Sequence, residues 1–486
     1  MKISRRGFIC GGSALFAAGC RTSAASAFAG LSASAGWGFD DIIDGRTTRE
    51  VPVYAVGETM TFTFRLRGFK GLDASKCVFD WVRTGDDGIK VCGRAPAGRP
   101  LVLSTSIDRP GFVRYYVELL DPAGKPVLRD VMDDGDNYKV RFDGGAGADI
   151  FAIRPAVPEP ADFDAFWSRM KARLAAVPWK DGVKAVRLDS GRSDVELYAV
   201  EVPCAGGRPA TGFLSVPAAA REGRRFPADI GFYGYGGSWS AYATQKPAPG
   251  RLRADVVQFL ASAHGFELMR EPEYYAAMRK GLGSNGHGYC FDPEENADPE
   301  RAYFNGMALR VLRAVEYLKS RPEWNGRDLV AHGGSMGGLQ TVWAAALDRD
   351  VTVARAEAPW CCDIGGTELG RGRGDWYVGW VPGLGYYDPV NFARRMPKTC
   401  LFELPRIGLG DYVCPPVGVM SFYNVLSCPK RGVCFQNTRH DYKAPEPLQR
   451  FVLDGNRAFL PGADGRQPAD ENGVNYKIGS EEKPSA

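Results

Sequence analysis

The sequence predicts an α/β fold class: a doubly wound, mostly parallel sheet, preceded by an immunoglobulin-like β-sandwich. From residue 162 onward, helical and strand-like patterns alternate, as they do where helices connect parallel strands. Between residues 51 and 151, short alternating runs are separated by turn signals, with no convincing helix. A chain of 486 residues is longer than a typical single domain. We therefore divide it into a signal and tether (1–36), a β-sandwich (37–154), an α/β domain (155–463) and a flexible C-terminal tail (464–486).

The β-sandwich is predicted from four strand-like runs: Thr61–Leu66, Cys77–Val82, Leu101–Ser106 and Val113–Leu120. Two segments that directly follow strand-like runs have turn composition: Thr84–Gly88 and Asp121–Gly124. Two later segments, rich in Gly and Pro, mark the predicted domain boundary: Gly144–Ala148 and Pro155–Pro160.

The α/β domain begins with a predicted helix that carries four apolar side chains on one side: Phe163, Phe166, Trp167 and Met170. Strands are predicted near residues 195–202, 211–217 and 228–233. A helix over 304–319 has apolar residues at helical spacing, and we interpret this face as core packing. No internal repeat is evident.

Residues 332–338, His-Gly-Gly-Ser-Met-Gly-Gly, give the strongest functional signal. They follow the apolar run Leu329–Ala331 and precede the helical pattern of Leu339–Leu347. Gly-x-Ser-x-Gly between a strand and a helix is the nucleophile elbow of α/β-hydrolases, in which the glycines permit a sharp turn that exposes the serine hydroxyl. Ser335 is therefore the predicted nucleophile. The alternative is an ordinary tight turn in which Ser335 caps the helix.

A serine nucleophile needs a general base, and the chain has only four histidines: His264, His287, His332 and His440. In α/β-hydrolases the acid and then the histidine follow the serine along the chain, and only His440 follows Ser335. It comes just after a strand-like segment, where a base carried by a loop is expected. His264 begins a strand-like run and is predicted to be a structural histidine whose hydrogen bonds are satisfied.

The acid is predicted between the serine and the histidine, after a strand. Asp411 follows the strand-like run Leu401–Leu404 and precedes a helix that Pro415 and Pro416 can start. Its role would be to orient His440 and stabilise the imidazolium. The alternative is that Asp411 merely caps that helix; Asp363 and Asp441 are weaker candidates for the acid.

Several motifs together resemble the acetyl xylan esterase/cephalosporin C deacetylase family over residues 155–460. Besides the elbow and His440, the matching segments are Phe163–Trp167, Phe232–Gly237, Arg313–Leu318, Arg321–Trp324, Pro359–Asp363 and Gly408–Pro416. The resemblance implies that Ser335, Asp411 and His440 form a catalytic triad. It also implies that the backbone amides of Tyr235 and Met336 form the oxyanion hole.

The sequence departs from the family pattern at several positions. Met336 replaces the usual Gln, which is tolerable because only the backbone amide is needed there. The family's Arg-Gly-Gln motif is missing from residues 281–291, Tyr233 replaces a His, and Asp441 replaces a Glu. These differences predict a diverged branch of the family.

The N-terminus resembles a twin-arginine export signal, with Arg5 and Arg6 before a short apolar run. This run is too short to form a stable membrane span. Two processing sites fit equally: lipidation of Cys20, which would tether the protein to a membrane, or signal cleavage after Ala29. The protein is therefore predicted to be exported, in the periplasm or outside the cell.

Composition narrows the partners. The net charge is +4. Three of these positive charges lie in the signal (Lys2, Arg5 and Arg6), so the chain from Cys20 onward carries about 4 − 3 = +1. A nearly neutral protein gives no reason to expect nucleic-acid binding. The twelve cysteines show neither a CxxC motif nor a Cys/His metal spacing. No metal or organic cofactor is predicted. The oligomeric state is left open.

We predict a serine carbohydrate esterase that hydrolyses short acyl esters, above all O-acetyl groups of xylan or related glycans. Residues 365–388 are rich in Gly and aromatic residues and are a candidate lid, although these rings fit domain packing equally well. The predicted substrate-binding side chains are Trp360, Trp376 and Trp380. The alternatives are a prolyl-oligopeptidase-type peptidase, for which the N-terminal region lacks propeller repeats, and a non-catalytic glycan-binding lipoprotein.

Overall fold

The computed structural model describes residues 42–68, 72–128, 139–236, 241–372, 374, 376–440 and 449–462. The predicted signal with Cys20, the tether and the C-terminal tail from residue 464 lie outside the described residues. Within the described part of the chain, no helix combines the length and apolar character that a membrane crossing requires.

Residues 42–148 are here called the N-terminal β unit, and the described part of this range forms eight strands: β1 (Ile42–Thr47), β2 (Val53–Tyr54), β3 (Met60–Arg67), β4 (Val78–Gly85), β5 (Val91–Pro96), β6 (Leu101–Thr105), β7 (Gly111–Leu120) and β8 (Arg141–Ala148). One sheet has the order β1-β3-β6 and the other β2-β8-β7-β4-β5. The sheets share one apolar core, in which Phe62 and Phe64 of β3 contact Tyr115 of β7 edge to face. This region is β-rich, as predicted.

The segment Gly144–Ala148, predicted to mark a boundary, forms part of β8, the last strand of the N-terminal β unit. The glycines allow close packing. A Cβ on Gly145 would lie 2.0 Å from the carbonyl oxygen of Val113, and one on Gly144 would lie 2.4 Å from Oε1 of Gln436. A glycine-rich composition alone does not distinguish a flexible link from a strand pressed against its neighbours.

Residues 163–459 contain eight helices and eleven strands among the described residues: α1 (Phe163–Ala175), β9 (Lys184–Leu188), β10 (Val195–Val202), β11 (Ala210–Pro217), β12 (Phe226–Phe232), α2 (Ala241–Thr244), β13 (Val257–Ala261), α3 (Pro272–Lys280), α4 (Pro293–Ala297), α5 (Tyr303–Lys319), β14 (Trp324–Gly334), α6 (Met336–Leu347), β15 (Val353–Glu357), α7 (Pro389–Phe392), β16 (Leu401–Gly408), α8 (Pro416–Val425), β17 (Lys430–Phe435), β18 (Arg450–Asp454) and β19 (Arg457–Phe459).

The eleven strands form one sheet in the order β19-β18-β17-β16-β15-β14-β12-β13-β11-β10-β9. The six central strands, in the spatial order β13-β12-β14-β15-β16-β17, pair parallel with their neighbours. The strands at both edges of the sheet pair antiparallel. The predicted parallel character therefore holds at the centre of the sheet. Strand β13 ends at Ala261, so the prediction that His264 begins a strand was wrong.

Helices α5 and α6 pack on the central strands and bury an extensive apolar core. The opposite face of these strands carries a row of polar side chains: Asp229, His332, Arg355 and Glu403. Nε2 of His332 lies 2.9 Å from Oδ1 of Asp229, and Nε of Arg355 donates to Oε2 of Glu403 at 2.6 Å. Parallel strands are usually apolar on both faces; here, charge pairing satisfies the polar row.

Candidate active site

Ser335 occupies a sharp turn between β14 and α6. Its backbone has φ 58° and ψ −121°, outside the common regions for a residue with a side chain. The turn is held on both sides, because Ser335 N donates to Glu357 O at 2.9 Å while Ser335 O accepts from the amides of Leu339 and Trp360 at 3.0 Å. The local geometry is that of the predicted elbow.

Two glycines make this turn possible. A Cβ on Gly337 would lie 2.3 Å from the carbonyl oxygen of Phe232, and one on Gly333 would lie 2.7 Å from that oxygen and from the carbonyl group of Gly337. Both positions therefore exclude a side chain because backbone from the neighbouring strand already fills the space. The Gly-x-Ser-x-Gly spacing thus reflects close contact between β12 and the first turn of α6.

His440 lies beside Ser335, with its ring between the serine and Asp411. Nε2 of His440 is 3.0 Å from Oγ of Ser335, and Nδ1 is 3.0 Å from Oδ2 of Asp411. Three side chains that are far apart in the sequence therefore form one hydrogen-bonded chain. Asp411 is 1% exposed, which shields its contact with the ring from bulk water.

The other carboxylate oxygen of Asp411 is also bound. Oδ1 accepts hydrogen bonds from the backbone amides of Val413 at 3.0 Å and Cys414 at 2.8 Å, just before α8. Asp411 does not cap α8, whose N-cap residue is Pro415 with no side-chain cap, so the capping alternative is wrong. Its two carboxylate oxygens instead bind the turn before α8 and the ring of His440. This division fixes the plane of the carboxylate relative to the imidazole.

Opposing effects set the pKa of His440. Burial favours the neutral ring and lowers the pKa, whereas the adjacent Asp411 carboxylate favours the imidazolium and raises it above its ordinary value. A charged Cys414 would also raise it, but burial raises the pKa of that thiol to about 12, so it is neutral near pH 7. Near neutral pH, Asp411 therefore supplies the stabilising negative charge.

The loops that carry the acid and the base are joined to each other. We call residues 409–415 the acid loop and residues 436–440 the base loop. Gly410 N donates to Thr438 O at 2.9 Å, and a Cβ on Gly408 would lie 2.5 Å from that same oxygen. Arg406 of β16 donates to the carbonyl oxygen of His440 at 2.8 Å. The distance between Asp411 and His440 thus depends on direct backbone contact between these loops.

The predicted oxyanion donors, Tyr235 and Met336, flank the elbow. Met336 is the first residue of α6, where the geometry of a helix leaves amide hydrogens without intrahelical acceptors. The chain before Tyr235 passes beside the nucleophile, because a Cβ on Gly234 would lie 3.7 Å from Cβ of Ser335. Gln340 connects the two segments by donating to Tyr233 O at 3.3 Å and Met336 O at 3.1 Å.

The three predicted substrate-binding tryptophans differ in exposure. Trp376 is 43% exposed, whereas Trp360 is 3% exposed and donates its indole hydrogen to Trp376 O at 3.1 Å. Trp376 and Trp360 contact the ring of Tyr235 at centroid distances of 4.8 and 5.8 Å. Trp380 is partly buried, with its backbone amide donating to the hydroxyl of Tyr377. An exposed ring therefore stands on a buried aromatic cluster next to the nucleophile.

A small cavity adjoins the acid loop. Its volume is about 50 Å³, and its lining includes Trp360, Trp376, Tyr412 and Cys414. Within the described residues, one group of His, Cys and Asp has potential ligand atoms within 4.8 Å of one another: Asp411, Cys414 and His440. The hydrogen bonds of Asp411 and His440 described above account for this clustering without an ion.

The remaining histidines do not contact Ser335. His264 is fully buried, with Nδ1 2.9 Å from the hydroxyl of Tyr303, in agreement with the predicted structural role. His332 pairs with Asp229 on the polar face of the sheet, and His287 lies in an exposed turn. Asp363 accepts a hydrogen bond from Ala156 N and pairs with Arg371. Asp441 lies outside the described residues.

Analysis of the sequence did not predict the contacts that join the base loop to strand β8, outside the α/β domain. The side chains of Gln436 and Asn437 hydrogen-bond the backbone of β8 in the N-terminal β unit. The available signal was the glycine run of β8, which predicted a boundary rather than a close contact.

Comparison with known proteins gives a consistent result. Residues 148–367 and 380–452 match the family model described as acetyl xylan esterase (AXE1). Acetyl esterase Axe7A of Xylanibacter ruminicola is 24% identical over 300 residues, which are 59% of this chain and 65% of that protein. The chain thus spans somewhat less than two thirds of this curated relative.

Two solved structures are similar. An acetyl xylan esterase from Paenibacillus sp. R4 is 21% identical, with a TM-score of 0.48, over 60% of this chain and 94% of that one. Acetyl xylan esterase 1 from Thermoanaerobacterium sp. JW/SL YS485 is 20% identical, with a TM-score of 0.49, over 61% and 93%.

Proposed function

Because this chain belongs to the acetyl xylan esterase family, we propose that it is a serine carbohydrate esterase acting on short acyl esters, above all O-acetyl groups of xylan or a related glycan. The observation that carries the proposal is the hydrogen-bonded chain from Ser335 through His440 to Asp411. A serine is a weak nucleophile by itself, and an adjacent base held by a carboxylate is what activates it.

In the proposed reaction, Nε2 of His440 takes the hydroxyl proton as Oγ of Ser335 attacks the ester carbonyl carbon. The tetrahedral oxyanion accepts hydrogen bonds from the backbone amides of Tyr235 and Met336, and each such donor is worth about 3 kcal/mol. His440 then gives its proton to the sugar oxygen as the bond between that oxygen and the acyl carbon breaks, so the sugar leaves as an alcohol and Ser335 is acylated. In the second half, His440 activates water to attack the acyl-serine, which releases acetate and restores Ser335. No step requires a metal or an organic cofactor.

We assign the sugar contact chiefly to Trp376, because it is the most exposed ring of the aromatic cluster beside Tyr235. Apolar faces of sugar rings stack on aromatic side chains. Trp360 would support Trp376 from below, and Trp380 would flank it. Replacing Trp376 by Ala is expected to raise KM for acetylated oligosaccharides about tenfold while leaving phenyl acetate hydrolysis within about twofold. Equal losses on both substrates would contradict the stacking role.

Three predictions from sequence belong to the same proposal. We propose that the protein is exported, either anchored through Cys20 or released after cleavage, because the N-terminus resembles a twin-arginine signal. Shared apolar packing between its two sheets supports an immunoglobulin-like arrangement of the N-terminal β unit. The domain limits proposed above, 37–154 and 155–463, are retained.

The experiment that tests the function is acetate release from acetylated xylan, acetylated oligosaccharides and aryl acetates, measured beside prolyl peptide amides. The proposal expects acetate release that Ser335→Ala abolishes, and no amide cleavage. Cleavage of prolyl amides with no ester hydrolysis would instead indicate the peptidase alternative. Glycan binding that Ser335→Ala leaves intact, together with no acetate release by the wild type, would indicate the non-catalytic alternative.

A further inference from the structure

The base loop is fastened to strand β8 of the N-terminal β unit by a side-chain amide that takes the place of a backbone group. Oε1 of Gln436 accepts from Gly145 N at 2.7 Å, and Nε2 of Gln436 donates to Gly145 O at 2.7 Å. Both partners are buried. His440 lies four positions after Gln436, so this two-point contact is at the start of the loop that carries the base.

A second contact lies one residue nearer to the base. Oδ1 of Asn437 accepts from Asp143 N at 3.0 Å, and Asn437 has φ 48°, a conformation that Asn tolerates better than most residues. The acid loop is pressed against the same strand, since a Cβ on Gly410 would lie 2.2 Å from Asp143 O. One short stretch of β8 therefore contacts both loops.

The side chain of Asp143 extends this support to the residue beside the acid. It forms a two-point ion pair with Arg114 of β7, with both distances 2.6 Å. The guanidinium of Arg114 lies 4.4 Å from the centre of the Tyr412 ring, which directly follows Asp411. Stacking of this kind orients a ring as well as attracting it. Tyr412 is 8% exposed, so the stack is mostly shielded from water.

We propose that Arg114, Asp143 and Gly145 of the N-terminal β unit, acting through Gln436, Asn437 and Tyr412, position the acid and base loops for proton transfer from Ser335. The family match begins at residue 148, so the three β-unit residues precede the segment that matches. The N-terminal β unit is therefore a support of the active site rather than a detachable glycan-binding module or spacer. This inference rests on the proposed triad.

The test compares three amide side chains that bind backbone N-terminal to the α/β domain, two on the base loop and one outside it. Gln436→Met removes the contact with Gly145 at nearly constant side-chain volume. Asn437→Gly removes the acceptor for Asp143 N and preserves the positive φ. The matched control is Asn424→Leu: Asn424 of α8 donates to Ile150 O and Ile153 O at 2.8 and 3.0 Å, in the chain that follows β8, and carries no catalytic loop.

Four quantities are measured for each full-length variant: kcat and KM on phenyl acetate, the rate at which diisopropyl fluorophosphate labels Ser335, and the melting temperature. We expect Gln436→Met and Asn437→Gly to lower kcat at least tenfold and to slow labelling by a similar factor, with KM within about twofold, because small displacements of a catalytic group have large effects on rate. Asn424→Leu should keep wild-type kcat and labelling at a comparable melting temperature.

Distinct outcomes separate the two proposals. If both loop variants are folded and label Ser335 as fast as Asn424→Leu, the positioning role is wrong even though the enzyme is an esterase. If Gln436→Met fails to fold, Asn437→Gly decides alone. If the wild type hydrolyses no ester yet labels faster than the loop variants, the positioning role stands and the substrate assignment falls. If the wild type is neither active nor labelled, both proposals fall.

Discussion

The nucleophile and its two partners are held in place by different parts of the molecule. Ser335 is fixed by its own neighbourhood: the end of β14, the start of α6 and two glycines that admit the backbone of β12. His440 and Asp411 lie on loops that contact a strand about 290 residues earlier in the chain; Asp143 and Asn437, for example, are separated by 294 positions. The elbow is thus a local structure, whereas the acid–base pair depends on long-range packing.

The largest expected effect comes from the elbow itself. Ser335→Ala removes the nucleophile and should lower kcat for phenyl acetate about 10⁶-fold, as loss of a catalytic serine does in other triad hydrolases. The fold should be unaffected, because the hydrogen bonds that hold the turn use only the backbone of Ser335. Steady-state kinetics and a thermal melt check both points. Substantial residual activity would mean that another group carries the reaction.

A smaller loss is expected from the acid loop. Asp411→Asn keeps an oxygen for the amides of Val413 and Cys414 but no longer holds the imidazole in the correct tautomer, which in a related triad costs about 10⁴-fold in kcat. The measurement is kcat on phenyl acetate. Asn391 is also buried and serves as the control, since Asn391→Asp alters a contact with Gly385 O away from Ser335. Activity near wild type in Asp411→Asn would exclude this carboxylate as the acid.

This contrast also explains what could be predicted from the sequence. The elbow was predictable because its whole signal is contiguous in the sequence: an apolar strand, the glycine-flanked serine of residues 332–338, and a helical pattern. Helix α1 was predictable because Phe163, Phe166, Trp167 and Met170 recur at helical spacing, and all four are buried. Local steric and periodic rules decide such elements, and a single sequence displays them in full.

The support from the N-terminal β unit could not be predicted, because no local rule encodes it. Gly144 and Gly145 have the same composition whether they form a flexible link or a strand packed against Gln436. The strand exists because β7 pairs along its whole length and the base loop covers it. Likewise, burial of Trp360 and exposure of Trp376 depend on which loop covers which ring. Both facts follow from tertiary packing, which a single sequence does not show.

The close contact between the elbow and β12 can be tested by adding a methyl group where there is no space for one. A Cβ on Gly337 would meet Phe232 O at 2.3 Å and Phe232 C at 2.9 Å, both backbone atoms at the end of β12. Gly337→Ala should therefore displace β12 from α6, destabilise the fold by about 1–3 kcal/mol and lower kcat about 100-fold. Denaturant unfolding and kinetics measure these effects. At Gly250 an added Cβ meets nothing within 4 Å, so Gly250→Ala is the control and should change neither quantity.

The smallest expected effect is a displacement of the pH profile, and it tests the acid–base pair directly. His440 acts as a base only when neutral, so kcat/KM should fall as the pH drops through its pKa in the free enzyme. Because Asp411 raises the pKa of His440, we expect this limb above the ordinary histidine value of about 6.5. The measurement is kcat/KM for phenyl acetate from about pH 5 to about pH 10, and Asp411→Asn should move the limb to lower pH.

The charged neighbours of His440 support a pKa above the ordinary histidine value. Arg406 donates to the carbonyl oxygen of His440, and its positive charge is offset by its ion pair with Glu357 at 2.6 Å. Cys414 is neutral in this range because its pKa is raised to about 12. Asp411 is thus the unbalanced charge at the ring, and a limb at or below about 6.5 would mean that burial outweighs it. In that case Asp411 and the neighbouring loops would position His440 without raising its pKa.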